Sequence, residues 1–510
     1  MQRTVVINVV GLTPALIGPH TPRLDAFRQA GTMASIEPAF PAVTCTAQSD
    51  YLTGTRATDH GIVGNGWYNA ELAEVQFWKQ PNHLVRGRKV WEALRQEAGR
   101  EFTCAKLFWW FNMYSSADFS ITPRPIYPAD GRKVFDIYSR PLSLRAEIKE
   151  DLGEFPFPTF WGPAAGVKSP QGEPDAASRW IAESAKWIEN KFQPTLNLVY
   201  LPHLDYNLQR HGPCVVPPSG GQGKAFSVPQ TLERGAAHRR PDEAATPNGH
   251  GLKSELHTNP AIIADLRAID AIVGDLIDFF QRRSVQVVLL SEYGVTNVDT
   301  PVHLNRVFRA KGWIGIKDEL GLETLDCGAS RVFAVADHQV AHVYCNDLSL
   351  KHTVRKLLES LPGVGQVLGR KEKSAWGVAH PRAGDYIAVA RENAWFTYYY
   401  WLDDALAPDF ARCVDIHRKP GYDPVELFLD PKIPAVKLRI LWRLLQTKLG
   451  FRMVLDVIPL DATLVKGSHG RRPASPADWP VVIAPRKMEL ASGEIPSTEL
   501  HQIIRRAVLG

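Results

Sequence analysis

Short apolar runs that alternate with helical patterns constrain this chain more than any other feature of its sequence. Residues 4–10 (TVVINVV), 195–201 (TLNLVYL) and 285–290 (VQVVLL) are rich in β-branched residues and almost entirely apolar. Such runs are typical of strands that are buried on both faces of a parallel sheet. Because the carboxyl ends of parallel strands meet at one edge, we expect the loops that follow these strands to converge on a site.

Helical patterns lie between these strands. Residues 22–30, 89–97 and 175–192 have amphipathic spacing, and residues 260–281 carry one continuous apolar stripe. A further strand is predicted at 102–110. Strand, helix and strand in this order predict βαβ units. The predicted fold class is therefore α/β, with a mostly parallel β-sheet sandwiched between helices.

The length of the chain suggests its domain organisation. With 510 residues, it can form about two to four domains or one large α/β domain with an insertion. We predict one core formed by 1–211 and 259–510, with a smaller inserted cap region at roughly 320–430. Residues 212–258 are rich in Pro and Gly and have little periodic hydrophobicity, which predicts a disordered insertion.

Composition argues against several classes of protein. Hydrophobic residues make up 45% and charged residues 22%, as in an ordinary globular protein. A net charge of +5 is too small for this length to indicate a nucleic-acid partner. No segment reaches the ~18–20 continuous apolar residues of a membrane span, so no integral membrane segment is predicted. Without a signal-peptide cleavage site or a CxxC pair, the expected location is the cytoplasm.

Residues 435–449 (AVKLRILWRLLQTKL) form a basic, amphipathic helical pattern. We expect the Leu, Ile and Trp face of this helix to pack on the sheet, with Lys and Arg outside. The alternative interpretation is a helix that lies on a membrane surface.

The first chemical motif lies at 40–68 (FPAVTCTAQSDYLTGTRATDHGIVGNGWY). Thr44 follows a strand-like segment and precedes a helical one, so its hydroxyl lies in the field of a helix N-terminus, which favours anions. Asn65 lies 21 residues later in a glycine-rich turn, where its amide can donate to a phosphate oxygen. The alternative roles are a helix-capping threonine and a turn asparagine.

This motif resembles the type I phosphodiesterase/nucleotide pyrophosphatase branch of the alkaline phosphatase superfamily, whose pattern reads FPxxTxPNHYxLxTGxxPxxHGIxxN. The matching positions are Phe40, Pro41, Thr44, Tyr51 in part, Thr53, Gly54, His60, Gly61, Ile62 and Asn65. The resemblance implies an alkaline-phosphatase-like core in which Thr44 is the covalent nucleophile and Asn65 stabilises phosphate charge. It also implies one or two divalent metal ions, zinc in this family, held by Asp and His side chains.

The resemblance assigns one metal site to an Asp, His and His set. Here that set reads Asp205, Gln209 and His469, because HLDYNLQRHGP stands where the family has EPDxxGHxxGP and SHG matches the family's GxHG motif. Gln209 therefore occupies a His position. His211, two residues later, is a second candidate for that ligand.

The other family site uses an Asp, the nucleophilic Thr, a second Asp and a His. Here the positions hold Val10, Thr44, Glu292 and Tyr293, from NVVGL and SEYGV. Valine cannot bind a metal, tyrosine is a poor ligand at neutral pH, and glutamate is a competent one. Asn8, two residues before Val10 on the same strand face, can offer an amide oxygen instead.

Two further groups of polar residues stand out. His417 and Arg418 lie in VDIHRKPGYDP, which we interpret either as a phosphate-binding turn for the substrate or as a plain surface turn. His338 and His342 lie in the alternating segment RVFAVADHQVAHVY, which predicts a β-hairpin with both histidines in structural roles.

These patterns predict a metal-dependent hydrolase of phosphate esters that uses Thr44 as its nucleophile on a small-molecule phosphate ester or nucleotide-like substrate. The substitutions at Val10, Gln209 and Tyr293 leave a second class open. In that class the chain is a catalytically impaired or repurposed family member that binds a phosphorylated ligand or a partner in a biosynthetic pathway. A hydrolase of a sulfate or phosphonate ester is a third interpretation, and the oligomeric state is left open.

Overall fold

A computed structural model describes residues 1–129, 132–214, 258–416, 419–451, 454–488, 490 and 493–510. The predicted insertion lies outside these residues except for 212–214 and 258, so its disorder stays a prediction. His417 and Arg418 also lie outside the described residues.

The elements alternate along the chain as the sequence predicts. The strands are β1 (Thr4–Val9), β2 (Gly31–Glu37), β3 (Gly66–Asn69), β4 (Glu74–Phe77), β5 (Cys104–Leu107), β6 (Phe119–Pro123), β7 (Ile137–Arg140), β8 (Leu196–Leu201), β9 (Gln286–Leu290), β10 (Thr296–Asn297), β11 (Thr300–Val302), β12 (Gly315–Glu319), β13 (Leu322–Asp326), β14 (Val332–Asp337), β15 (Val340–Cys345), β16 (Val364–Leu368), β17 (Tyr386–Ala390), β18 (Ala394–Phe396), β19 (Gly467–Ser468), β20 (Val481–Pro485) and β21 (Glu494–Pro496). The α-helices are α1 (Pro22–Ala30), α2 (Thr44–Thr53), α3 (Ala57–His60), α4 (Val90–Ala98), α5 (Leu144–Leu152), α6 (Ala176–Phe192), α7 (His203–His211), α8 (Ile263–Gln281), α9 (Leu304–Ala310), α10 (Lys351–Ser360), α11 (Arg370–Ala375), α12 (Val436–Lys448) and α13 (Leu500–Leu509).

Nine strands form the central sheet, in the order β21-β2-β20-β9-β1-β8-β5-β6-β7. β1 pairs in parallel with β8 and β9, and β5 pairs in parallel with β8 and β6. Antiparallel pairs lie on either side of this centre, where β20 joins β2 and β9 and where β7 joins β6. Every residue of β1 and β8 is buried, as expected for strands covered on both faces. The predicted α/β class with a mostly parallel sheet is confirmed.

Helices flank the sheet in two groups. α6 packs on β8 and α8 on β9, and α1 and α5 join this group through contacts with α8 and α6. α13 packs on β1 and β9 together with α2 and α4. The apolar stripe predicted at 260–281 is buried along α8, because Leu266, Ile269, Val273 and Leu276 lie on one face. Within the described residues, no helix is both long enough and apolar enough to cross a membrane.

A smaller antiparallel sheet lies in the region predicted as the cap. Its order is β14-β15-β17-β16, and it has a hydrophobic core of its own beside the core of the central sheet. The β14–β15 pair confirms the hairpin predicted around His338 and His342. The predicted domain bounds stay a prediction.

The loops that carry the predicted site open at one edge of the central sheet. β9, β1 and β8 are neighbours at its centre, so the loops after them are adjacent. In this register Asn8 of β1 lies opposite Tyr200 of β8 and Leu290 of β9. Residues in register on parallel neighbours project to the same face, which brings polar groups from distant parts of the sequence together.

Two sequence-based predictions about elements need correction. The strand predicted at 102–110 is shorter, because the chain turns after β5, where Phe108 and Phe111 adopt φ values of 63° and 51°. The helix predicted at 435–449 is present as α12, but the expected packing of its apolar face is wrong. Leu441 and Trp442 are 63% and 57% exposed, and the inward side of the helix carries Val436 and Ile440, which pack on the core of the smaller sheet.

Candidate active site

A cavity of about 480 Å³ opens where the loops after β8 and β9 meet the start of α2. It contains four residues that the sequence predicts as site residues or metal ligands: Thr44, Asn65, Asp205 and His469. The other described residues that line it are mostly aromatic: Trp78, Trp110, Phe160, Trp161, Tyr200, Pro202, Tyr206, Tyr293, His338, Ile416 and Tyr422. Residues from widely separated segments therefore form one site.

Thr44 is the first residue of α2, after Val43 in extended backbone. Its side chain is almost fully buried, with its hydroxyl 3.4 Å from the phenol oxygen of Tyr293. The same hydroxyl interacts with the Tyr200 phenol and the Glu292 carboxyl. A helix start places the residue where backbone dipoles favour an approaching anion. Thr44 therefore lies at a helix N-terminus, with its hydroxyl next to the polar groups of Tyr293, Tyr200 and Glu292.

Asn65 is held rigidly beside Thr44. Its Oδ1 accepts a hydrogen bond from the backbone N–H of Cys45 at 3.1 Å, and its Nδ2 donates to Asp337 Oδ1 at 3.1 Å. Its backbone N–H donates to Asp337 Oδ2 at 2.8 Å. Burial raises the pKa of Asp337 to about 7, against these two hydrogen bonds, which lower it. Asp337, at the end of β14, is a positioning residue that sequence reasoning missed, although it directly precedes the singled-out His338.

Asp205, on the first turn of α7, accepts two hydrogen bonds from neighbouring side chains. The Tyr293 hydroxyl donates to its Oδ1 at 3.2 Å, and Gln209 Nε2 donates to its Oδ2 at 2.7 Å. Gln209 lies four residues later on the same helix, so both side chains share one face. Burial raises the pKa of Asp205 to about 6, while the hydrogen bonds from Gln209 and Tyr293 lower it. Thr44, Tyr293 and Asp205 thus form a continuous hydrogen-bonded chain.

His469 lies behind this chain in a stack of rings. Its Nδ1–H donates to the carbonyl of Ala42 at 2.9 Å, so its Nε2 carries a lone pair toward Asp205 Oδ1, 4.0 Å away. Its ring centroid lies 3.7 Å from that of Tyr293 and 3.8 Å from that of His338. Burial lowers the pKa of His469 to about 3, so the ring is neutral at physiological pH.

Glu292 is bound by amides and faces Thr44 from the loop after β9. Its Oε1 accepts from Asn8 Nδ2 at 2.6 Å and from Gln48 Nε2, and its Oε2 has no hydrogen-bond partner within the described chain. Burial raises the pKa of Glu292 to about 8, against the hydrogen bonds of Gln48, Asn8 and Thr44, which lower it. Asn8 therefore acts as an N–H donor to Glu292, while its amide oxygen is buried without a hydrogen-bond partner within the described residues, so the alternative that it is a ligand stays a prediction.

The donor set does not fit the two-ion centre that the family resemblance implies. Both oxygens of Asp205 and Oε1 of Glu292 accept hydrogen bonds from side chains, whereas Glu292 Oε2 and Gln209 Oε1 have no partner within the described residues. Gln209 turns a donor toward Asp205, and a phenol stands at the position of a family histidine. Asp205 and His469 remain as a pair, whereas zinc sites use at least about three protein ligands. In the described part of the chain, no group of three or more His, Cys, Asp or Glu side chains is arranged to hold a metal.

Aromatic residues form the walls of the site. Trp110 donates its indole N–H to the carbonyl of Lys79 at 3.1 Å, and Trp161 donates its own to Glu426 at 3.1 Å. With their polar edges satisfied inside the protein, both indoles are left with apolar surface for the cavity. From the sequence, the aromatic run at 107–114, together with Trp67, Tyr68 and Trp78, is interpreted either as core or as a surface that stacks on a base or ring. No local pattern distinguishes a core tryptophan from a cavity-lining one.

A second cavity of about 530 Å³ shares Trp110, Phe160, Trp161 and Ile416 with the first. Its walls are apolar apart from Lys133 and Gln80 among the described residues. Gln80 accepts from the backbone N–H of Asn112 at 3.3 Å, while its Nε2 has no partner within the described chain. The second cavity therefore adjoins the first, and a residue in its wall, Gln80, has a hydrogen-bond donor without a partner within the described residues.

The other histidines that the sequence singles out lie in different places. His211 is exposed at the end of α7. His342 is buried and hydrogen-bonds the carbonyl of Val63 at 2.9 Å, which suits the predicted structural role. His338 also lines the cavity, with its ring against that of His469, and its structural role stays a prediction. The phosphate-binding role of His417 and Arg418 concerns residues outside the described chain and stays a prediction; Ile416, just before them, lines the cavity.

Comparisons with known proteins agree with this picture of the fold. The chain is similar to murine ectonucleotide pyrophosphatase/phosphodiesterase 5, solved as an inactive variant in complex with AMP, with 13% identity, a TM-score of 0.54 and coverage of 100% of this chain and 95% of that one. It is similar to phosphonoacetate hydrolase from Sinorhizobium meliloti 1021 with 13% identity, a TM-score of 0.54 and coverage of 99% and 96%. No curated protein sequence matches it.

The sequence model of one family decides the assignment. The model of the type I phosphodiesterase/nucleotide pyrophosphatase family matches residues 4–423. This range includes Thr44, Asn65, Asp205 and Glu292, and leaves His469 beyond its end. The resemblance read from the motifs at 40–68 is therefore confirmed. The chain belongs to the type I phosphodiesterase/nucleotide pyrophosphatase family, whose members are phosphoric ester hydrolases.

Proposed function

We propose that this protein hydrolyses a phosphoric ester in the aromatic-lined cavity, with Thr44 as the nucleophile. The observation that carries the proposal is the hydrogen-bonded chain from the Thr44 hydroxyl through Tyr293 to Asp205. A free threonine hydroxyl is too weak an acid to attack unaided, so a nucleophilic role needs a path for its proton. A threonine-to-alanine variant of the murine neighbour is described as inactive, which supports the assignment.

The proton of Thr44 has a defined route in this proposal. As Thr44 Oγ1 bonds to phosphorus, its proton passes to the Tyr293 oxygen while the Tyr293 proton passes to Asp205 Oδ1. Asp205, with a pKa of about 6, is ionised at neutral pH and is the final acceptor. Asn65, fixed by Asp337, is placed to donate its remaining amide N–H to a phosphoryl oxygen.

The bond changes complete a double displacement. The bond between phosphorus and the leaving alcohol breaks as the bond to Thr44 forms, and the alkoxide takes a proton from water. The hydroxide formed in this way attacks the phosphothreonine, the bond between phosphorus and Thr44 Oγ1 breaks, and the phosphate is released. The protonated Asp205 returns its proton along the same chain.

The substrate class follows from the walls of the site. Trp110, Phe160 and Trp161 line both the Thr44 cavity and the second cavity. Gln80, whose Nε2 has no hydrogen-bond partner in the part of the chain that the structure describes, lines the second cavity. These surfaces suit an ester of an apolar or aromatic alcohol that carries a hydrogen-bond acceptor. A nucleotide-like ester, as bound by the murine neighbour, belongs to the same broad class.

The proposal is tested by trapping the covalent intermediate. We expect bis(p-nitrophenyl) phosphate to release p-nitrophenol and acid-quenched protein to carry one aryl phosphoryl group on Thr44, detected by peptide mass spectrometry. The second candidate function, a family member that only binds its ligand, is favoured by the hydrogen-bond donors on Asp205 and Glu292. Saturable binding of the diester without p-nitrophenol release or an adduct would support that candidate and overturn hydrolysis.

Metal content is predicted separately, because the family resemblance implies zinc and its second site keeps only Thr44 and Glu292 at its four ligand positions. We expect protein purified without chelator to hold well below one zinc ion per chain by elemental analysis. The matched variant Gln209→His completes an Asp, His and His set with Asp205 and His469, so it is expected to gain up to about one zinc ion per chain. One or more ions tightly held by the unaltered protein would contradict the proton route through Tyr293.

A further inference from the structure

The outward face of α12 is apolar along its whole length. Its members are Leu438, Leu441, Trp442, Leu445 and Leu449, and Phe451 continues it just past the helix. Their spacing of i, i+3, i+4, i+7 and i+11 places the first five on one side of the helix. Each is between 44% and 67% exposed, so this outer face is turned away from the protein.

Contacts on the opposite side hold the helix in this orientation. Val436 and Ile440, four residues apart, pack against the hydrophobic core of the smaller sheet. Arg439 pairs with Asp456, and Arg443 Nη2 lies 3.3 Å from Asp456 Oδ1. An amphipathic helix in a globular protein normally buries its apolar stripe. Here the ion pairs lie against the protein, and the largest apolar side chains are left outside.

The charged residues in the sequence of the segment that contains α12 have one sign. Residues 431–455 contain no Asp or Glu, and their basic residues are Lys432, Lys437, Arg439, Arg443, Lys448 and Arg452. Asp456 offsets one of these charges. A second copy of the chain would bring two such segments together and repel itself. An apolar face with a tryptophan, set among basic residues, is the pattern of a helix that lies in a membrane interface.

We propose that the outer face of α12 binds the surface of an anionic lipid bilayer. The leucines and Trp442 enter the boundary between headgroups and acyl chains, and the exposed Lys432 and Lys437 contact anionic headgroups. This is peripheral binding by a helix parallel to the membrane. It adds an attachment site to the protein and does not depend on the chemistry proposed at Thr44.

The test is flotation of the full chain with vesicles of phosphatidylcholine alone or with about 30% phosphatidylglycerol. We expect flotation with the anionic vesicles, weaker flotation with the neutral ones, and release by high salt. Leu441→Glu together with Trp442→Glu should lower the apparent partition coefficient at least about tenfold. The matched control, Leu142→Glu with Leu320→Glu, alters two exposed leucines elsewhere and should leave it unchanged.

Two further measurements keep the outcomes distinct. The milder pair Leu438→Gln and Leu445→Gln should give an intermediate loss of flotation, and thermal unfolding should show that every variant is folded. Absence of flotation by the unaltered chain, or equal flotation of the Leu441→Glu, Trp442→Glu variant, would overturn the proposal. A dimeric mass in light scattering that this variant converts to a monomer would instead assign the outer face to self-association.

Discussion

Thr44→Ala is expected to abolish hydrolysis of an aryl phosphodiester, with kcat reduced at least about 10³-fold. The substitution removes the oxygen atom that attacks phosphorus in the first step of the proposed double displacement. The side-chain interactions of the Thr44 hydroxyl are with other residues of the site, Tyr293, Tyr200 and Glu292, so the fold should be little affected. Steady-state release of p-nitrophenol, together with thermal unfolding of the same samples, measures both effects.

Companion variants separate the nucleophile from its proton route. Thr44→Ser keeps a hydroxyl and should retain part of the activity, whereas Tyr293→Phe breaks the link to Asp205 and should lower kcat with little change in binding. In the unaltered enzyme, kcat should rise as pH increases through the Asp205 pKa of about 6, because the ionised carboxylate is the proton acceptor. An active Thr44→Ala protein would show that another group attacks phosphorus.

Lys419→Met is expected to destabilise the fold by about 3–5 kcal/mol at pH 8. Lys419 Nζ lies 2.7 Å from Glu426 Oε1 and 4.0 Å from Asp423 Oδ2, and all three side chains are fully buried. Removing the cation leaves two buried carboxyls without compensation. Because Glu426 also accepts the indole N–H of Trp161, the cavity wall should loosen as well. Urea unfolding followed by circular dichroism measures the change in the free energy of unfolding.

The loss of stability should be smaller at pH 5. Burial raises the pKa of Asp423 to about 6, and removing Lys419 raises it further. The folded state then holds protons that the unfolded chain releases above pH ~4, so stability falls as pH rises through that window. The control is Lys168→Met, which breaks an exposed pair with Glu173 at 3.0 Å and should cost under about 1 kcal/mol at either pH. An equal loss at pH 5 and pH 8 would show that Asp423 does not bind a proton between these pH values in the folded variant.

The two halves of the site differ in how far they can be predicted from sequence. Thr44 and Asn65 stand in one linear motif, and Asp205 and His469 in two shorter ones, so a one-dimensional pattern finds all four, and the structure places them in one cavity. Their partners have no such signal. Asp337 is 272 residues from Asn65, and Gln48 is 244 residues from Glu292, and such pairs are made by packing rather than by spacing.

The metal positions show the same limit. The sequence identifies Val10, Gln209 and Tyr293 as departures from the family pattern but leaves open what the remaining ligands do. The structure shows that Tyr293 links Thr44 to Asp205 and that amides hold Glu292. In the sequence, Tyr293 is therefore only a lost metal ligand, whereas in the structure it is part of a hydrogen-bond network.

The sequence by itself determined the fold class, the parallel centre of the sheet, the hairpin around His338 and the family, because burial period and motif spacing are local properties of the chain. Only the tertiary structure decided which polar side chains meet, which tryptophans line the cavity, and that α12 turns its leucines outward. These outcomes depend on contacts between residues far apart in sequence. For α12, the inward side is the one on which Val436 and Ile440 pack against the core of the smaller sheet and Arg443 pairs with Asp456.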